Sequence, residues 1–139
     1  MINLVTLKRQ HEEISEIIEK IKDIIDRDAM VSEASEAALL ISTLAGKLKI
    51  HLNTEDKYMY PQLMASASEE VRKTAKEYLE EMGTISETFM GYKDRFNTRS
   101  KICADPGTFA AESSSVFEVL YKRIGREEDS LYNFYDNEI

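Results

Sequence analysis

The chain has 139 residues, 42% of them hydrophobic and 32% charged, with 5 glycines, 2 prolines and no tryptophan, which suits one helical core rather than a β-sandwich or a disordered tail. Its 18 basic against 26 acidic residues leave a formal net charge of −8, which argues against nucleic acid or an anionic membrane surface as partner. Cys103 is the single cysteine, so no internal disulfide can form; with no apolar run of signal-peptide or membrane-spanning type, a cytoplasmic protein is expected.

Core-facing residues of a packed helix recur every three or four positions. Leu4, Leu7, His11, Ile14, Ile18, Ile21 and Ile25 keep that spacing and predict a first helix over about residues 4–28. Ser32 offers an N-cap with Glu33 in the first turn, and Ala37, Ile41, Leu44, Leu48, His51, Glu55 and Tyr58 carry a second helix to an end near Pro61. Ser66 and Glu69 could form a capping box for a third, with Val71, Ala75, Tyr78, Met82, Ile85, Phe89, Tyr92 and Phe96 on its seam. The turn formers from Asn97 to Gly107 close on Asp105-Pro106, a cap followed by proline at the first helical position, and Phe109, Ser113, Val116, Leu120, Arg123, Glu127 and Phe134 continue the pattern. Short connections make neighbouring helices antiparallel, so the expected fold is all-α, an up-down-up-down four-helix bundle forming a single domain over residues 1–139. No repeat array, low-complexity segment or domain linker is evident.

Five seam residues break the apolar rule: His11, His51, Glu55, Arg123 and Glu127. Burying an ionisable group without a partner costs several kcal/mol, so a cluster of them implies pairing, a metal ion or a wet pocket. Met82 lies 21 residues before residue 103 and Arg123 lies 20 after it, so the two should share a layer. His11 and His51 are similarly placed about the first turn. His51 and Glu55, four apart, present an imidazole and a carboxylate from one helix face.

With these residues in view the chain resembles the hemerythrin-like HHE cation-binding domain: His11 early in helix one, His51-x-x-x-Glu55 running into Tyr60-Pro61 in helix two, and Glu127 in helix four. The resemblance spans nearly the whole chain and implies a non-haem di-iron centre that binds dioxygen or responds to oxygen, nitric oxide or iron. Two of the family's histidines are replaced, by Met82 in helix three and by Arg123 four residues before Glu127.

Charge decides what the replacements permit. Two divalent ions beside Arg123 would set about +5 against −2 from Glu55 and Glu127, and unit charges 4 Å apart interact by ~4 kcal/mol at an effective dielectric near 20. A di-iron centre is therefore disfavoured. One ion on His11, His51, Glu55 and Glu127 makes an N2O2 set suited to iron or zinc, and in a metal-free core the Arg123 guanidinium would stand in for the ion. A plainer alternative makes Arg123 and Glu127 a surface i,i+4 pair, with Ile124 and Leu131 on the seam. Met82 reads as core filler, Tyr58 and Tyr78 as packing, and Gly83 and Gly125, each costing about 1 kcal/mol in a helix interior, as openings for a small ligand or for helix approach.

Three functions follow: a binding or sensing module with a metal ion or small ligand in the core, a metal-free bundle acting through a protein partner or as a homo-oligomer, and an enzyme. No Cys-His, Ser-His-Asp or phosphate-loop pattern supports the last.

Overall fold

The computed structural model describes residues 4–138. Among them there is no strand, and four helical rods account for the architecture. They are α1 (Leu4–Asp26), α2 (Ala34–Thr54) prolonged by α3 (Tyr60–Met64), α4 (Glu69–Phe96), and α6 (Pro106–Arg126) prolonged by α7 (Tyr132–Glu138). Helix α1 packs against α2 and α6, and α4 packs against the same two, which closes the expected bundle. No helix among the described residues is long and apolar enough to cross a membrane.

The 3-4 spacing gives the rods, and the caps set their ends with corrections. Asp105 caps α6 as expected, its carboxylate accepting from Thr108 N at 3.1 Å with Pro106 in the first turn. Ser68, not Ser66, caps α4, accepting from Val71 N at 3.3 Å, while the Ser66 hydroxyl donates to Glu138 at 2.6 Å. Ser32 caps nothing: its hydroxyl donates back to the Ala29 carbonyl, and α2 starts after Glu33 without a side-chain cap. The connection read as turn formers holds a short helix, α5 (Arg99–Ala104), capped by Thr98 and anchored by the buried Ile102.

The second rod does not stop at Pro61. It passes through a π-helical turn, Glu55–Met59, and runs on to Met64. Pro61 lacks an N–H and would crowd the carbonyl one α-turn back, and the wider turn just before it relieves both conflicts. The fourth rod has a matching π turn, Glu127–Leu131. Each π turn adds one residue to the cycle, so the seam shifts by one. Met59 and Tyr60 are buried where Tyr58 was expected, and Tyr135 is buried where Phe134 was expected.

Two apolar clusters result. One holds Ile14 to Ile24 of α1, Leu44 of α2, Ile85 to Phe96 of α4, Ile102, and Phe109 to Leu120 of α6. The other holds Leu7, Met59, Tyr60, Leu63, Val71, Ala75, Leu131, Tyr132 and Tyr135. Between them lies a polar layer.

Candidate metal centre

All five seam breakers are buried in that layer: His11, His51, Arg123 and Glu127 are 2–3% exposed and Glu55 is fully covered. The surface-pair alternative for Arg123 and Glu127 is thereby overturned. One donor atom from each of His11, His51, Glu55 and Glu127 lies within 4.8 Å of the others. The closest approaches are His11 Nε2 to Glu127 Oε1 at 2.9 Å and His51 Nε2 to Glu55 Oε2 at 3.2 Å.

The imidazoles are held from outside. His11 Nδ1 donates to Glu128 Oε2 at 2.8 Å, and His51 Nδ1 donates to Gln10 Oε1 at 2.7 Å. Gln10 cannot turn its amide over: its Nε2 donates to Thr54 Oγ1, whose own proton is committed to the Ile50 carbonyl. With Nδ1 of each ring committed outward, both Nε2 atoms face carboxylate oxygens inside the layer. An imidazole nitrogen and a carboxylate oxygen that close need a proton or a metal ion between them.

Arg123 closes the other side. Its Nε donates to Glu127 Oε2 at 2.7 Å, Nη2 to the Tyr60 hydroxyl at 3.1 Å, and Nη1 to the Tyr78 carbonyl at 2.9 Å and Glu81 Oε1 at 3.1 Å. The guanidinium also lies over the Tyr78 ring, 4.7 Å from its centroid. Glu81 further pairs with Arg126, so a half-exposed ion cluster plugs the layer on the α4–α6 side.

The electrostatics divide the two carboxylates. Burial foremost, and then the charge of Glu127, raise Glu55 above the ordinary carboxylate range. Burial pushes Glu127 the same way, but hydrogen bonds from His11 and His51 and the charge of Arg123 outweigh it and hold Glu127 well below that range. For His51, burial disfavours the charged ring, yet the bonds and charges of Glu127 and Glu55 prevail and raise it to about 9. Metal-free, the layer therefore keeps a proton on His51 and ionises Glu127 first.

A small cavity of about 20 Å3 lies beside the layer, faced mainly by apolar atoms, with Ile14, Leu48, Leu52, Met82 and Leu120 in its lining and neither Glu55 nor Tyr132 reaching it. Met82, Leu48, Leu52 and Leu120 separate it from a groove of about 760 Å3 between α2 and α4. Glu55 Oε1 is the one buried side-chain polar atom among the described residues with no hydrogen-bond partner, and such an orphan calls for an explanation. Two imidazoles and two carboxylates, all buried and with one donor atom each within 4.8 Å of the others, fit a metal ion.

The structure thus gathers His11, His51, Glu55 and Glu127 and puts Met82 and Arg123 beside them, in one layer as the spacing predicts. Gly83 and Gly125 lie elsewhere: both are exposed, and a Cβ at either would meet nothing within 4 Å, so neither opens the core. Sequence reasoning gave no role to Gln10, Glu128 or Tyr132, and took Tyr60 only as part of the Tyr60-Pro61 step of the motif. The tyrosines carry a faint signal, since each falls five residues after a motif glutamate, Glu55 or Glu127.

Neither the comparison with curated proteins nor that with solved structures gives a match. The family model described as the hemerythrin HHE cation binding domain matches residues 3–135. Four helical rods, a mid-core layer of two imidazoles and two carboxylates, and a match over nearly the full length agree: the chain belongs to the hemerythrin HHE cation-binding family.

Proposed function

We propose that this chain is a hemerythrin-like binding or sensing domain, one bundle over its whole length, whose core takes a single metal ion, iron or zinc, through His11, His51, Glu55 and Glu127. The observation that carries the reading is the pair of Nε2 atoms facing carboxylate oxygens 2.9 and 3.2 Å away, with both Nδ1 atoms tied outside. When bound, the ion supplies a Lewis-acidic centre, and a redox-active one if it is iron. The chain's residues do the rest. Glu128 and Gln10 fix the rings, Arg123 neutralises Glu127 and blocks a second ion, and the aromatic cluster of Tyr60, Tyr132 and Tyr135 keeps bulk water out.

Sensing has a physical route. Glu55 and Glu127 each open a π turn, so whatever pulls on the carboxylates pulls on the start of α3 or α7, and the packing of those segments reports it.

A metal-free bundle acting through its surface, on a protein partner or another copy, is the second reading. It is favoured by the Arg123 Nε bond to Glu127, which compensates that carboxylate without an ion.

Metal per chain decides between them, measured by elemental analysis on protein produced with ample iron, alongside an Arg123→His/Met82→His double variant. Near one metal in the native chain and near two in the variant is the expected result. None in the native chain overturns the single-ion reading and leaves the metal-free one.

A further inference from the structure

Tyr132 was no part of the motif, yet its hydroxyl lies in the middle of the site. Its oxygen stands 2.8 Å from Glu55 Oε2, 3.0 Å from His11 Nε2, 3.2 Å from Glu127 Oε1 and 3.4 Å from His51 Nε2. A phenol has one proton and two lone pairs, and the first of these contacts takes the proton. The rest are not all satisfiable as hydrogen bonds, because the phenol's one proton is spent on Glu55 and the Glu127 carboxylate has none to give.

Donor atoms bound to one ion at ~2.0–2.2 Å and separated by angles of about 90 to 120° stand ~2.8–3.8 Å from one another. Those four separations meet this test. So do His11 Nε2 to Glu127 Oε1 at 2.9 Å, His51 Nε2 to Glu55 Oε2 at 3.2 Å and His51 Nε2 to Glu127 Oε1 at 3.6 Å. Seven of the ten separations among these five atoms, two nitrogens and three oxygens, thus fall at the spacing of neighbours in one coordination shell, and the other three lie within 4.8 Å. Resting on the single-ion reading above, the geometry points to Tyr132 as a fifth ligand that makes the centre a ferric tyrosinate site.

The charge count agrees. Phenolate, Glu55 and Glu127 give about −3, and Arg123 brings this to about −2. A ferric ion takes the sum to about +1, and Glu128, bound to His11 Nδ1 at 2.8 Å, offsets the remainder. Three hard anionic oxygens and two imidazoles match ferric iron better than a softer ion. On binding, the phenolic O–H bond breaks, its proton leaves to solvent, and the oxygen lone pair goes to the ion with no change of oxidation state.

Tyr60 provides an internal control. It too follows a motif glutamate by five residues across a π turn, but its hydroxyl accepts from Arg123 Nη2 at 3.1 Å and touches none of the four other donors. Of the two matching tyrosines, one faces the ion's side and the other faces the guanidinium.

The test supplies ferric citrate to metal-free wild type, Tyr132→Phe and Tyr60→Phe, and reads iron per chain, the visible spectrum and resonance Raman scattering. Wild type should bind near one iron and show a visible charge-transfer band with enhanced tyrosinate ring modes. Tyr60→Phe should keep the band. Tyr132→Phe should lose it, and its iron affinity should fall by at least the roughly tenfold that loss of an outer-shell partner costs. Iron bound by wild type without the band, or a band surviving in Tyr132→Phe, overturns the tyrosinate ligand while leaving the single-ion reading intact. No iron in wild type overturns both. Raman on wild type alone decides the matter should Tyr132→Phe fail to fold.

Discussion

Arg123 and Glu127 stand one helical turn apart inside the bundle, the guanidinium Nε donating to Oε2 at 2.7 Å with both residues 2% exposed. Removing one partner of such a pair strands the other, at ~3–5 kcal/mol. Arg123→Met should therefore lower the stability of the metal-free protein by about that much. With iron or zinc bound the loss should shrink, because the ion then compensates Glu127. Urea melts of both forms check it; equal losses with and without metal would refute the compensation.

The outer partners of the histidines should set affinity. Gln10→Leu removes the acceptor from His51 Nδ1 and frees the ring's tautomer, so metal affinity should drop ~10–100-fold with little change in fold. Thr54→Val, which only loosens the Gln10 amide, should drop it less. Competition with a coloured chelator gives both values.

Stability and metal affinity should run in opposite directions with pH. His51 sits at about 9 in the folded chain against about 6.5 when unfolded. A raised pKa means stabilisation that is complete below about 6.5 and lost as pH climbs to about 9, at most about 3 kcal/mol for this group. The raised Glu55 acts in the same sense. Metal-free protein should thus melt at falling temperature from pH 6.5 to 9, while the apparent metal affinity rises over the same range as the competing proton departs. A melting temperature flat across that range, or His51→Gln showing the same slope, would count against the assignment.

Gly83 and Gly125 offer a control away from the site. A methyl at either meets nothing, so Gly83→Ala and Gly125→Ala should each stabilise the chain by ~1 kcal/mol through helix propensity without altering metal content. Thermal melts with elemental analysis test both halves of that statement.

The bundle and four of the donors were legible because seam spacing is a strong signal and an ionisable residue on a seam is conspicuous. His11, His51, Glu55 and Glu127 all fall on an unbroken 3-4 pattern that holds up to each glutamate. What lay beyond was hidden by the π turns. A one-residue insertion into the helical cycle leaves no mark on composition, so extrapolating the seam past Glu55 and Glu127 selects Tyr58 and Phe134 where Met59 and Tyr135 are inside. Gln10 and Glu128 escaped for another reason. Each adjoins a donor in sequence, off the seam, and reaches the rim of the layer across helices, which spacing within one helix does not report.

The polar layer also divides the apolar core into two clusters, and this bears on how the chain comes apart. Amide hydrogens in α3, α7, the first turns of α1 and the start of α4 belong with the smaller cluster, which shares no apolar contact network with the larger. Without an ion these segments should exchange with deuterium as their own cooperative unit, ahead of the rest. An ion held by α1, by α2 and by the head of the second π turn straddles the divide, and it should merge the two units into one opening event.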